Sequence, residues 1–261
     1  MIQTASKNVA FSTSALKVVL SLLVAIVCLG IAAALYWSFV LSKPLTSSPK
    51  NTARTTDDEE VTKMVLYSNL TRWQAEWAVR KVNINYGEQV DKLAAMMDLP
   101  ANYIKALILL ECSGNLPAAS RFEPEVLRKL IAVQQGKLPA YNGICQNDLE
   151  GKSLRELKEM ATSWGPLQIM GYHALRLGIK IEELYGDNSL FYGMVWVKNN
   201  YGHLLARKAY YHAFHFHNTG RLYPFNSPPL TYDPYYVGNG LYYMLILGDQ
   251  SLLSMHSLDT P

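Results

Sequence analysis

Residues 106–115 read Ala-Leu-Ile-Leu-Leu-Glu-Cys-Ser-Gly-Asn, an apolar run closed by a carboxylate and then by small polar residues. Such a run predicts a buried helix that meets a cleft at Glu111, where burial would raise the carboxyl pKa toward the value a general acid needs at neutral pH. A glutamate at a helix end is also often simply solvated, so this stretch alone does not define a site. Working outward, residues 91–97 and 101–110 carry apolar side chains at helical spacing, and Asp98-Leu99-Pro100 separates them. A break with Pro near the next first turn predicts a helix-turn-helix entry into Glu111.

The text downstream is also helical. Val126, Leu127, Leu130, Ile131 and Val133 form one apolar face, and Gly136, Pro139 and Asn142-Gly143 then mark a loop. Ser153 with Glu156 three positions on predicts a capping box for a helix bearing Leu154, Leu157 and Met160. Residues 172–177 read as a helix stopped by Gly178, Asn188 as the cap of a longer helix running to Tyr201-Gly202, and a further helix starts near Leu204. Few runs alternate with period two, so residues 63–261 are expected to form a mainly α domain.

Ahead of it, residues 18–41 are 24 positions without Asp, Glu, Lys or Arg, enough for one transmembrane helix. The alternative is a cleaved signal peptide, for which Ala32-Ala33-Ala34 offers a cleavage site. Residues 1–17 form a short tail and residues 42–62 a polar tether ending in Asp57-Asp58-Glu59-Glu60. The bulk composition excludes more than it selects. A net charge of +3, from 24 basic and 21 acidic residues, leaves no electrostatic footprint for nucleic acid, and three cysteines with no zinc-ligand spacing imply neither a disulfide scaffold nor a metal. No cofactor is expected.

Two further stretches carry chemistry. Ser163-Trp164-Gly165-Pro166-Leu167-Gln168-Ile169 offers an aromatic face for a sugar ring and an amide for hydrogen bonds. Phe216-His217-Asn218-Thr219-Gly220 breaks a helix where His217 and Asn218 could line a cleft. For both, the plainer alternative is a core Trp with a surface Gln and a structural His.

In this order the segments resemble the soluble-lytic type of lytic transglycosylase and the goose-type lysozymes. Those enzymes show Glu-Ser at the end of an apolar helix, Gly-x-Met-Gln-Ile, Ala-Tyr-Asn-x-Gly and a Tyr-Val ahead of a final helix. The counterparts are Glu111-Cys112-Ser113, Gly165-Pro166-Leu167-Gln168-Ile169, Phe216-His217-Asn218-Thr219-Gly220 and Tyr236-Val237, covering residues 91–244. Cys112, His217 and Leu167 depart from the family's usual Ser, Tyr and Met. The 57 positions from Glu111 to Gln168 exceed the family's usual spacing, so residues 118–160 read as a helical insertion. Arg121-Phe122-Glu123 and Ser163-Trp164-Gly165 with Gln168-Ile169-Met170-Gly171 also resemble the N-acetylmuramidase domain of phage endolysins.

The resemblance implies a lysozyme-like fold, peptidoglycan glycan strands as substrate, and a domain outside the bacterial cytoplasmic membrane. Glu111 would protonate the leaving oxygen of the MurNAc-β-1,4-GlcNAc bond, with Ser113, Ser163, Trp164, Gln168, His217, Asn218 and Tyr236 about the sugar. A lytic transglycosylase works with that one carboxylate, whereas a hydrolytic muramidase needs a second, for which Glu123 and Glu125 are available and Glu123 is the candidate. A non-catalytic wall-binding or secretion-assembly protein would keep the fold and lose the chemistry. In an oxidising compartment Cys112 and Cys145 could form a disulfide, the alternative being two buried free thiols.

Overall fold

The computed structural model describes residues 67–248. The tail, expected membrane span and tether at 1–62 lie outside the described residues. Among the described residues no helix is long and apolar enough to cross a membrane.

The first helix among the described residues, α1 (Arg72–Met97), begins at a capping box in which Thr71 Oγ1 accepts from the Gln74 amide, and ends at Asp98 in the left-handed region. After the predicted break, α2 (Ala101–Cys112) carries Ile104, Ala106, Leu107 and Ile108 into the core with no exposed surface. It stops where Ser113 turns left-handed, and the amides of Ser113 and Gly114 return to the carbonyls of Leu109 and Ile108. Gly114 has φ +66°, and a Cβ there would lie 3.4 Å from the Val82 backbone nitrogen. That distance is ordinary contact, so it is the left-handed φ that favours glycine at this turn, where α1 and α2 meet beside Glu111. Asn85 Nδ2 donates to the Gly114 carbonyl at 2.7 Å, and Tyr86 Oη donates to the Asn115 carbonyl, so α1 clamps the helix end.

Three helices complete the main core. The predicted helix from Asn188 is α6 (Ser189–Ala206), kinked at Tyr201 where the sequence suggested a stop. It packs on α7 (Tyr210–Thr219), and α8 (Tyr236–Ile246) packs on α2 and α7. Tyr103, Tyr201 and Phe214 are the largest side chains fully buried there.

The segment 118–160 corrects the expectation of a helical insertion. It holds α3 (Pro124–Gln134) and α4 (Leu154–Met160), the latter with the predicted Ser153–Glu156 capping box, but also strands. These are β1 (Arg121–Phe122) and the hairpin β2 (Ala140–Tyr141) and β3 (Ile144–Cys145), turned at Asn142-Gly143. Two- and three-residue strands are too short to alternate visibly in sequence. A separate hydrophobic cluster of Leu130, Val133, Ile144, Leu149, Leu157 and Met160 holds this part together. An antiparallel sheet in the order β1, β4 (Thr162–Trp164), β5 (Ile169–Met170) joins it to the rest, pairing Arg121 with Ser163 and Ser163 with Met170. Between β5 and α6, the short helix α5 (His173–Leu177) stops at Gly178 as predicted.

Candidate active site

Glu111 lies on the last turn of α2, its side chain 15% exposed, in the wall of a cleft of about 560 Å³. Burial raises its carboxyl pKa to about 7, against weaker lowering by the Tyr236 hydrogen bond and the Arg121 charge. Tyr236, on the first turn of α8, donates its hydroxyl to Glu111 Oε1. Burial and the neighbouring carboxylate hold the phenol well above its usual pKa, so it stays a donor.

His217 Nε2 stands 3.8 Å from Glu111 Oε1. The separation suits an ion pair, but burial lowers the imidazole pKa to about 4, so at neutral pH the ring carries no charge and no ion pair forms. Its hydrogen bonds assign the tautomer: Nε2–H donates to the Leu167 carbonyl at 3.0 Å, and Nδ1 accepts from Tyr201 Oη at 2.7 Å. Tyr201 in turn accepts from Tyr103 Oη at 3.3 Å.

The cleft brings together Glu111, Glu123, Ser163, Gln168, His217, Asn218 and Tyr236 from the residues expected by sequence. Their roles differ from expectation in several places. The Gln168 amide is engaged within the protein: Nε2 donates to the carbonyls of Ala119 at 2.7 Å and Gly165 at 2.9 Å, and Oε1 accepts from Ser163 Oγ at 2.8 Å. With both donors occupied and φ at +47°, Gln168 clamps the β4–β5 turn rather than reaching for a sugar. Trp164 is not in this cleft. Its indole N–H donates to the Glu159 carbonyl at 2.9 Å, its ring leans on Tyr185, and it lines a different cavity. Ser113 is not among the cleft residues either, because its position caps α2. Cys112 and Cys145 are both free, so of the two alternatives the free thiols hold, with Cys112 buried against the Ile108 carbonyl but Cys145 exposed beside Asp148.

Glu123 faces the cleft from the end of β1, with Arg121 Nε 2.8 Å from its carboxylate. A further carboxylate that the sequence reading missed, Asp233, lines the cleft together with Tyr232, Asn239 and Tyr243. The loop that carries it is held by His215, fully buried on α7, whose Nδ1 donates to the Arg221 carbonyl at 2.8 Å and whose Nε2 accepts from the Leu230 amide at 3.1 Å. Asp233 Oδ1 accepts from the Tyr235 amide at 2.9 Å just ahead of α8. An Asp-Pro pair before an apolar helix was the available signal.

The cleft continues. A second hollow of about 530 Å³ shares Gln168, Met170, His217 and Asn218 with the first and runs on past Tyr141, Tyr172, Arg176 and Asn200. Asn218 is exposed where the two meet. Aromatic rings, amides and the guanidinium groups of Arg121 and Arg176 along such a trough suit a long, hydroxyl-rich ligand.

Comparison with known proteins gives no match: no family model, no curated protein and no solved structure matches the chain.

Proposed function

We propose that the protein is a glycosidase with one general acid, Glu111, acting on a polymeric sugar. Within that class we assign it to the peptidoglycan-cleaving enzymes with a lysozyme-like fold, as a lytic transglycosylase tethered to the bacterial membrane by residues 18–41. The observation that carries the reading is a single buried carboxyl with a pKa near 7, set in the wall of a long polar trough. The resemblance of Glu111-Cys112-Ser113, Gly165-Pro166-Leu167-Gln168-Ile169, Phe216-His217-Asn218-Thr219-Gly220 and Tyr236-Val237 to the transglycosylase motifs supplies the substrate class.

In this mechanism Glu111 gives its proton to the oxygen between N-acetylmuramic acid and N-acetylglucosamine as the C1–O bond breaks. Its carboxylate then takes the proton from the muramyl 6-hydroxyl, whose oxygen bonds to C1 and closes a 1,6-anhydro ring. Tyr236 holds the carboxyl in place through both steps. One group thus serves as acid and then as base, and no second carboxylate is required.

Glu123 and Asp233 on the same cleft favour a second reading, hydrolysis by a water that one of them activates. Digestion of purified peptidoglycan by the purified protein, with mass spectrometry of the fragments, separates the two. Anhydromuramyl ends support the transglycosylase and reducing muramic acid ends the muramidase. Absence of any cleavage by wild-type protein that still binds glycan would leave a wall-binding protein and overturn the enzyme.

A further inference from the structure

The solvent side of α1 carries an apolar stripe that the fold leaves uncovered. Trp73, Trp77 and Ile84 are 73%, 58% and 76% exposed. At about 3.6 residues per turn these three and Arg80 fall within roughly 60° of one another around the helix axis. The buried stripe of the same helix, Ala75, Val79, Val82 and Tyr86, lies on the opposite side, so no rotation of α1 could bury both. Single exposed apolar residues need no explanation, but two indoles and an isoleucine in line over three turns do.

Charge and position identify what the stripe meets. Arg80 lies within it and is exposed, Lys81 beside it stands with its ammonium 5.7 Å from the centre of the Trp77 ring while donating to Asn115 Oδ1, and the acid on the flank, Glu76, is paired with Arg72 at 2.7 Å. Indole rings flanking an exposed arginine suit the boundary between lipid headgroups and acyl chains, where the ring enters the apolar layer and the guanidinium meets phosphates. The uncharged stretch 18–41 ends 30 residues before α1 begins. That length of chain, even fully extended at about 3.5 Å per residue, keeps α1 within about 100 Å of wherever the stretch is anchored.

We propose that the face of α1 bearing Trp73, Trp77, Arg80 and Ile84 lies on an anionic phospholipid surface. The inference rests on the reading of residues 18–41 as a membrane tether and not on what the cleft cleaves. It is tested with full-length protein and vesicles of phosphatidylcholine and phosphatidylglycerol whose acyl chains carry bromine near the headgroup end. Bromine should quench a substantial part of the tryptophan emission, and that part should be missing from a Trp73→Phe/Trp77→Phe variant, which keeps Trp37, Trp164 and Trp196. Arg80→Glu should reduce the quenching, as should omission of phosphatidylglycerol. Equal quenching in wild type and the double variant overturns the proposal. So does an emission from these two indoles that neither bromolipid nor aqueous acrylamide reaches, which would mean that a second copy or another protein segment covers the stripe.

Discussion

Tyr236 and Glu111, 125 positions apart in the chain, are joined by a hydrogen bond from the phenol to the carboxyl Oε1 on the wall of the cleft. The bond lowers the Glu111 pKa while burial raises it, and the balance falls near 7. Tyr236→Phe removes the lowering contribution and leaves the ring in place. The alkaline limb of the pH–rate profile, expected near pH 7 in the wild type where Glu111 loses its proton, should move to higher pH. A limb that stays put would show that Glu111 does not set it.

Glu111→Gln should abolish glycan cleavage, since the amide cannot donate the proton, and general acid catalysis contributes about 10² to 10⁴ in rate. The same substitution should stabilise the fold. Below about pH 4.5 the carboxyl is protonated in both the folded and the unfolded chain. Between 4.5 and 7 the unfolded chain ionises while the folded one holds its proton, so wild-type stability falls with rising pH. The difference amounts to about 3 kcal/mol at pH 8. Urea unfolding of both proteins should therefore agree at pH 4 and diverge at pH 8, with the variant the more stable.

Gln168→Ala should act as a folding defect as much as a binding one. It removes bonds to the Ala119 and Gly165 carbonyls and leaves Ser163 Oγ only its longer bond, 3.3 Å, to the Arg121 carbonyl. Each net loss is about 1 kcal/mol, so a fall of several degrees in Tm should accompany any loss of cleavage. An unchanged Tm with weakened glycan binding would return Gln168 to the role of a sugar ligand.

Gly171→Ala tests how the insertion docks. A Cβ there would sit 2.2 Å from the Glu159 carbonyl oxygen and 2.9 Å from Met160 Cα, both backbone atoms of the α4 end. The clash should cost about 1 to 3 kcal/mol or more, read as a lower urea midpoint.

In native protein iodoacetamide should alkylate Cys145 and spare Cys112 until the chain is unfolded, because only the first is exposed. Peptide mapping that recovers a bridged pair instead would contradict the free thiols.

What the sequence made legible was local. The break at Asp98-Leu99-Pro100, the Ser153–Glu156 box and the stop at Gly178 are set by residues within a few positions of each other, and each stands where the spacing put it. Glu111 was also legible, because an apolar helix ending in a carboxylate is a one-dimensional pattern. The start of α1 at Arg72 was not read, although Thr71 and Gln74 carry its capping signal. The destinations of side chains were less visible. Gln168 is tied down by a carbonyl 49 positions away, Trp164 is turned aside by a carbonyl five positions before it, and Asp233 reaches the cleft through a loop anchored by His215. No pattern along the chain encodes those distances.

The tautomer of His217 has one more effect. With Nδ1 filled by Tyr201 and the Nε2 proton given to Leu167, the ring 3.8 Å from Glu111 has neither a lone pair to accept with nor a proton to give away. It is an inert spacer. As the medium is acidified from pH 8 to pH 5 the imidazole keeps its neutral state, with its own titration lying near 4, while Glu111 gains its proton. Of these two groups only one changes charge across that range, and the acid and its neighbour behave as a one-proton device.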